Sequence, residues 1–260
     1  MAMLVPRLLA HALGMPARSV PKSMMSAMVF KPPRVGYGMT RDHRHVLSGD
    51  KRRQVAMLQV RNEEAAADAP TLFFAHGNAE DLGSCERWLR QLCRELRCHG
   101  AAFDPAGYGH SANEAPSERT LYDDARGALD SIESENVVVM GRSLGSAVAC
   151  MLAGNSKFKV KGVVLQSPML SAFRVVLGDM PLSLPGDILR CTDMIENVEC
   201  PVMIVHGKKD NVIPFEHAEK LAEKTPNLHK LLLVQASHNG VEGTLAKDYF
   251  EELRGFMKAL

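Results

Sequence analysis

The sequence carries almost no net charge: 31 basic residues stand against 30 acidic ones, for a formal balance of +1. No global field therefore points to nucleic acid or to a strongly charged substrate. There is no uninterrupted run of about 18 apolar residues, so no membrane-spanning helix is expected. No P-loop occurs, and no dinucleotide fingerprint sits on the first strand-to-helix turn, which removes nucleotide-binding readings. A sustained basic face is also absent, so no nucleic-acid partner is expected. The six cysteines, Cys85, Cys93, Cys98, Cys150, Cys191 and Cys200, lack metal-site spacing. A chain of this size does not need staples, and reduced thiols in a cytoplasmic setting are the default reading. Histidines and cysteines do not pair at ligand spacings, and neither a metal nor another cofactor is expected.

Acid is missing in one region. Residues 1–41 contain Arg7, Arg18, Lys22, Lys31, Arg34 and Arg41, with no acidic residue before Asp42. Met1 to Leu13 is apolar, which suggests a segment lying on an anionic lipid surface or an Arg-rich targeting peptide. The plainer reading is a frayed terminus ending in an extended pass at Phe30-Lys31-Pro32-Pro33. The expected division is a basic N-terminal segment, residues 1–43, and one domain, residues 44–260, since the length does not force a second core.

From residue 44 onward short apolar runs alternate with amphipathic stretches of helix length. Strands are expected at Gln54 to Val60, Thr71 to Ala75, Gly100 to Asp104, Val137 to Met140, Gly162 to Gln166, Val202 to Val205 and Lys230 to Val234. Helices are expected at Leu82 to Leu96, Glu118 to Ser131, Leu144 to Gly154, Glu216 to Lys224 and Val241 to Lys258. This order predicts an α/β fold with a mostly parallel central sheet and helices on both faces. Pro168 to Cys200 breaks the alternation with three prolines and two glycines. It predicts a short insert rather than a large cap domain, at the sheet edge where such folds bind ligands.

Gly141-Arg142-Ser143-Leu144-Gly145 follows a strand and opens a helix. In that context G-x-S-x-G is a nucleophile turn, with glycines admitting a tight backbone and Ser143 lifted to the helix start. A serine hydroxyl needs a base within hydrogen-bond reach. His238 fits, because Ser237-His238-Asn239 follows the last strand, whereas His229 opens that strand and His217 sits on a polar helix face. The third group must accept from the other imidazole nitrogen. Asp210 follows a strand through a four-residue turn and completes the order Ser, Asp, His; Asp179, Asp187 and Asp193 are rivals in the insert. For the oxyanion, the backbone N–H groups of Leu144 and of Asn78, after His76-Gly77, are the expected donors. His76 reads as a turn residue.

Together these motifs resemble the alpha/beta hydrolase domain-containing protein 17 family, membrane-associated depalmitoylating serine hydrolases. The likeness runs from about Phe30 to the end through Phe30-Lys31-Pro32-Pro33, His76-Gly77-Asn78-Ala79-Glu80-Asp81-Leu82-Gly83, Asp104 to Ser111, Pro116-Ser117-Glu118, Ser167-Pro168, His206 to Asp210 and Ser237-His238-Asn239. The resemblance implies the alpha/beta-hydrolase fold, the triad Ser143, Asp210 and His238, and cleavage of a palmitoyl thioester through an acyl-serine intermediate. It implies an acylated protein as substrate; a lipid ester is the alternative. Peripheral membrane attachment through residues 1–41 is an expectation from the basic, apolar character of that segment. Two departures stand out: the family's N-terminal cysteine cluster has no counterpart before Cys85, and Gly240 stands where the family usually has an acid. A carboxylesterase, a monoacylglycerol or lysophospholipid lipase, and a hydrolase fold kept for binding alone remain open.

Overall fold

The computed structural model describes residues 21–177, 186–244 and 246–260. Eight strands make one sheet in the order β1-β2-β4-β3-β5-β6-β7-β8. They are β1 (His43–Leu47), β2 (Gln54–Val60), β3 (Thr71–Ala75), β4 (His99–Phe103), β5 (Val137–Arg142), β6 (Val160–Gln166), β7 (Val202–Gly207) and β8 (Leu228–Val234). β2 runs antiparallel to β1 and β4, and the remaining pairs are parallel.

The central strands are buried along their length because both faces are covered, which is why they read as continuous apolar runs. Alternate residues serve opposite faces: Phe73 and Ala75 of β3 join one core cluster, Leu72 and Phe74 the other. The first cluster takes side chains from α3 (Glu118–Asp130), α4 (Gly145–Ala153) and α7 (Glu216–Lys224). The second takes them from α2 (Leu82–Leu96) and α9 (Ala246–Ala259). α2 and α3 start at reciprocal caps, Asp81 with Ser84 and Ser117 with Thr120, which satisfy otherwise orphaned N–H groups. Arg53, nearly buried, sends Nε and Nη2 to Asp124 at 3.1 and 3.0 Å, while the other Asp124 oxygen accepts the Ala106 N–H at 2.8 Å. That pairing fastens α3 to β2 and to the loop after β4.

Register decides where chemistry can happen. Ala75 lies beside Gly141, Arg142 beside Gln166, and Gly207 beside Val234. The carboxyl ends of β3, β5, β6, β7 and β8 therefore open onto one edge. Above it sits the insert, small as expected, with α5 (Ala172–Leu177), α6 (Cys191–Met194) and a 3-10 turn at Ile195–Asn197.

Two elements went unread in the sequence. β1 is an edge strand whose Arg44 and His45 face solvent, so it has neither the apolar run nor the alternation that marks a strand. α1 (Lys22–Val29) falls inside the basic segment, yet Met25 and Phe30 are only 2% and 4% exposed and join the core beside Tyr108 and Leu121. Each burial is worth roughly 1.5–3 kcal/mol. At the other end, α8 (Val241–Thr244) and α9 both fall in the stretch expected to be helical from Val241 to Lys258. No helix among the described residues is long and apolar enough to cross a membrane.

α4 begins pressed against the end of β3. A Cβ on Gly145 would lie 2.0 Å from the Ala75 carbonyl oxygen, and one on Gly141 2.3 Å from the Gly145 carbonyl oxygen. Backbone cannot yield as a flexible side chain does. Gly145→Ala gains up to about 1 kcal/mol of helix propensity, less at a first helical residue. Overpacking costs about 1–3 kcal/mol or more. The expected outcome is net destabilisation, read as a lower urea midpoint with unchanged slope.

Candidate active site

Ser143 occupies the turn between β5 and α4 with a φ of 52°, a left-handed conformation rare for a side-chain-bearing residue. Its N–H donates to the Gln166 carbonyl at 2.9 Å, and its own carbonyl accepts from the Ser146 N–H at 3.0 Å and the Ser146 hydroxyl at 2.6 Å. With its backbone held on both sides, the side chain is the free part.

His238 lies on the loop after β8. Its Nε2 is 3.1 Å from Ser143 Oγ and its Nδ1 is 2.6 Å from Asp210 Oδ2. Asp210 follows β7, and its Oδ1 accepts the N–H groups of Val212 and Ile213, both at 2.8 Å. A carboxylate bonded to Nδ1 keeps the proton there, leaving Nε2 to accept from the serine. Burial alone would push the Asp210 carboxyl up. Hydrogen bonds from His206, His238 and the Ile213 N–H outweigh it and hold the carboxyl well below the ordinary range.

His206, near the end of β7, went unassigned in the sequence beyond its turn. It is fully buried, with Nε2 3.2 Å from Asp210 Oδ2 and 2.9 Å from the Ile213 carbonyl. It braces the acid at Oδ2, the same oxygen that His238 contacts. Its place just before Gly207 at a strand end was the available signal.

Asn78 and Leu144 lie with Ser143 in one cleft, and among the described residues their backbone N–H groups have no acceptor. The 76–80 loop passes close to the serine: a Cβ on Gly77 would sit 3.8 Å from Ser143 Cβ. Glu80 fixes that loop by accepting the Gly77 N–H at 2.6 Å. Arg142 holds Glu80 through Nε at 3.1 Å and also pairs with Glu242 on α8. Glu242 in turn accepts from Gln166 Nε2 at 2.9 Å, and Gln166 Oε1 accepts the Tyr249 hydroxyl at 2.7 Å. Arg142, an unassigned position of the G-x-S-x-G run, thus ties the serine turn to the loop on one side and to the helix following His238 on the other.

The rival residues are occupied elsewhere. His76 packs against Asp104, with Nε2 at 3.2 Å from Oδ1, and tilts against Tyr108. His217 is buried and its Nδ1 accepts the Leu170 N–H at 3.2 Å. His229 meets Phe256 edge-on. Asp187 accepts the Phe173 N–H at 2.9 Å, Asp193 pairs with Arg190 at 2.6 Å, and Asp179 lies outside the described residues.

The cleft around Ser143 measures about 550 Å³. Beyond Ser143 and His238 its walls are mainly apolar, with Met28, Val29, Met169, Val175, Val176 and Val212. Size and lining are those of a small-molecule site, roughly 300–1,000 Å³ and mostly apolar with a few convergent polar groups.

Sheet order, serine turn and strand-end loops define a protein of the alpha/beta-hydrolase class. Residues 70–193 match the family described as the alpha/beta hydrolase fold. An esterase of Pyrococcus furiosus superposes with a TM-score of 0.72 over 89% of this chain and 99% of its own, at 18% identity. Est1E of Butyrivibrio proteoclasticus, solved with ferulic acid, gives 0.68 over 82% and 98% at 16% identity. The alpha/beta hydrolase domain-containing protein aho-3 of Caenorhabditis elegans is 31% identical over 91% of this chain and 78% of its own length. The human alpha/beta hydrolase domain-containing protein 17C is 34% identical over 72% of this chain and 57% of its own, so the match spans less than two thirds of that relative. The chain belongs to the alpha/beta hydrolase domain-containing protein 17 family.

A depressed carboxyl stabilises the folded state above its unfolded value, 3.8, and the contribution is lost as pH falls through the lower folded value. The stability difference between the wild type and Asp210→Asn should therefore hold from neutral pH down to about 5 and shrink below about 4. Denaturant melts of both proteins across that range check it.

Proposed function

We propose that the protein is a serine hydrolase of acyl esters and thioesters, with Ser143 as nucleophile, His238 as general base and Asp210 as its orienting acid. The observation that carries this reading is the hydrogen-bonded chain from Ser143 Oγ through His238 to a buried, ionised Asp210, opening into an apolar cleft. Ser143 Oγ attacks the acyl carbonyl as its proton passes to His238 Nε2. The oxyanion forms against the N–H groups of Asn78 and Leu144, donors whose removal commonly costs about 3 kcal/mol each. His238 then returns the proton to the leaving thiolate or alkoxide. The acyl-serine is cleared by water, which His238 deprotonates in turn, releasing a carboxylic acid and restoring the serine.

A palmitoyl thioester on a protein is the substrate this reading favours, supported by the family and by a groove that offers an alkyl chain hydrocarbon contacts and few polar ones. Peripheral attachment through the basic residues 1–41 accompanies it; residues 1–20 lie outside the described residues.

A fluorophosphonate probe should label the wild type at Ser143, and Ser143→Ala should lose both labelling and turnover, by 1,000-fold or more on the order of magnitude seen for such residues. Absence of labelling with unchanged turnover in the variant would end the proposal. Across a series of acyl esters and matched thioesters, each methylene buried in the groove contributes about 0.8 kcal/mol. On that basis kcat/KM should rise by up to about fourfold per methylene until the groove is filled. A flat series would exclude a long-chain acyl substrate.

A further inference from the structure

The segment before β1 crosses the site. After α1 the chain runs extended past the 76–80 loop, and the Asn78 amide grips it at two points: Nδ2 donates to the Val29 carbonyl at 2.5 Å and Oδ1 accepts the Lys31 N–H at 2.9 Å. The Tyr108 hydroxyl closes the clamp, donating to Asn78 Oδ1 at 2.8 Å and accepting from the Lys31 N–H at 3.2 Å. Met25 in α1 and Phe30, between the two gripped residues, are buried and anchor the segment in the core. Further along, the Tyr37 hydroxyl donates to Asp104 Oδ2 at 2.6 Å. Between these anchors Met28 and Val29 face the same cleft as Ser143 and His238.

We infer that residues 28–31 are a working part of the active site, in which Met28 and Val29 set the acyl chain length accepted and the clamp positions Asn78 for oxyanion binding. This rests on the acyl-hydrolase reading above and adds a specificity wall and a positioning contact to it. The side chain of Asn78 does not touch the reacting atoms; it acts through its own backbone. When the amide releases residues 29–31, the 76–80 loop keeps Glu80 on Gly77 and Arg142 on Glu80 but loses the support at Asn78 itself. A displaced donor weakens the transition state and leaves ground-state binding largely intact, so the effect belongs in kcat.

The test uses the full chain and p-nitrophenyl esters of graded acyl length. Met28→Trp and Val29→Trp fill the groove from the segment's side; each should lower the long-chain to short-chain ratio of kcat/KM by about tenfold or more relative to the wild type. Asn78→Asp replaces the donor facing the Val29 carbonyl with an acceptor; kcat should fall by a similar factor at every chain length, up to roughly 100-fold, with KM little changed. Tyr108→Phe removes only the bridging hydroxyl and should lower kcat in the same pattern by a smaller factor, which keeps the test open if Asn78→Asp loses its cooperative melt. Chain-length profiles in both tryptophan variants that superimpose on the wild type's, or a wild-type kcat in folded Asn78→Asp or Tyr108→Phe, would overturn the inference. A wild type that labels with no fluorophosphonate and turns over no ester would overturn the acyl-hydrolase reading instead.

Discussion

The close approach of α4 to the end of β3 is the constraint on which the site depends. It forces Gly145 to be glycine, as the start of α4 crowding back on β5 forces Gly141, and it leaves Ser143 at φ 52° between them. Such a conformation costs about 1–3 kcal/mol and persists only where its surroundings over-determine it. Here they do: the Ser143 N–H is held by β6, its carbonyl by α4, and the sheet around it is among the most buried parts of the chain. The same approach brings the loop leaving β3 alongside the serine. Because β5, β7 and β8 run parallel, the turns bearing residues 143, 210 and 238 also emerge on that edge.

Electrostatics then hold the loops to one another. Arg142 is 13% exposed on its side chain and bridges two carboxylates from opposite sides of the serine turn. Removing one member of such a largely desolvated set leaves charge without compensation, so the three are constrained together. Asp210 is a second such centre, with four hydrogen-bond donors directed at one carboxylate. The two centres brace different parts of the site: Arg142 the serine turn and the loops beside it, Asp210 the imidazole.

How much of this was legible in the sequence follows from the range of each interaction. Ser143 announced itself through glycines two residues away, and Asp210 and His238 through their places after strands, all local signals. The central strands were legible because burial on both faces writes a continuous apolar run. β1 was not, since an edge strand with Arg44 and His45 exposed and a histidine, His43, as its buried residue carries no such run. Nor was the Arg142 bridge: Glu80 and Glu242 lie 62 and 100 residues from it, and no spacing rule reaches that far. Asn78 was read for its backbone N–H, as the loop after a strand suggests, while its side-chain partners 49 and 47 residues upstream left no mark in the pattern. α1 was hidden by the basic charge around it, although Met25 and Phe30 were present to be weighed.

The clamp across residues 29–31 also bears on how the molecule is assembled. Its partners, Asn78 and Tyr108, are 47 and 77 residues further along than Lys31. Translation produces the chain from its N-terminal side, so α1 leaves the ribosome well before anything it can dock on exists. The segment must wait, with Met25 and Phe30 uncovered, until β3, β4 and the loop after it have been made. An early-synthesised piece thus docks only after later-synthesised ones, and the cleft wall closes only when they are in place.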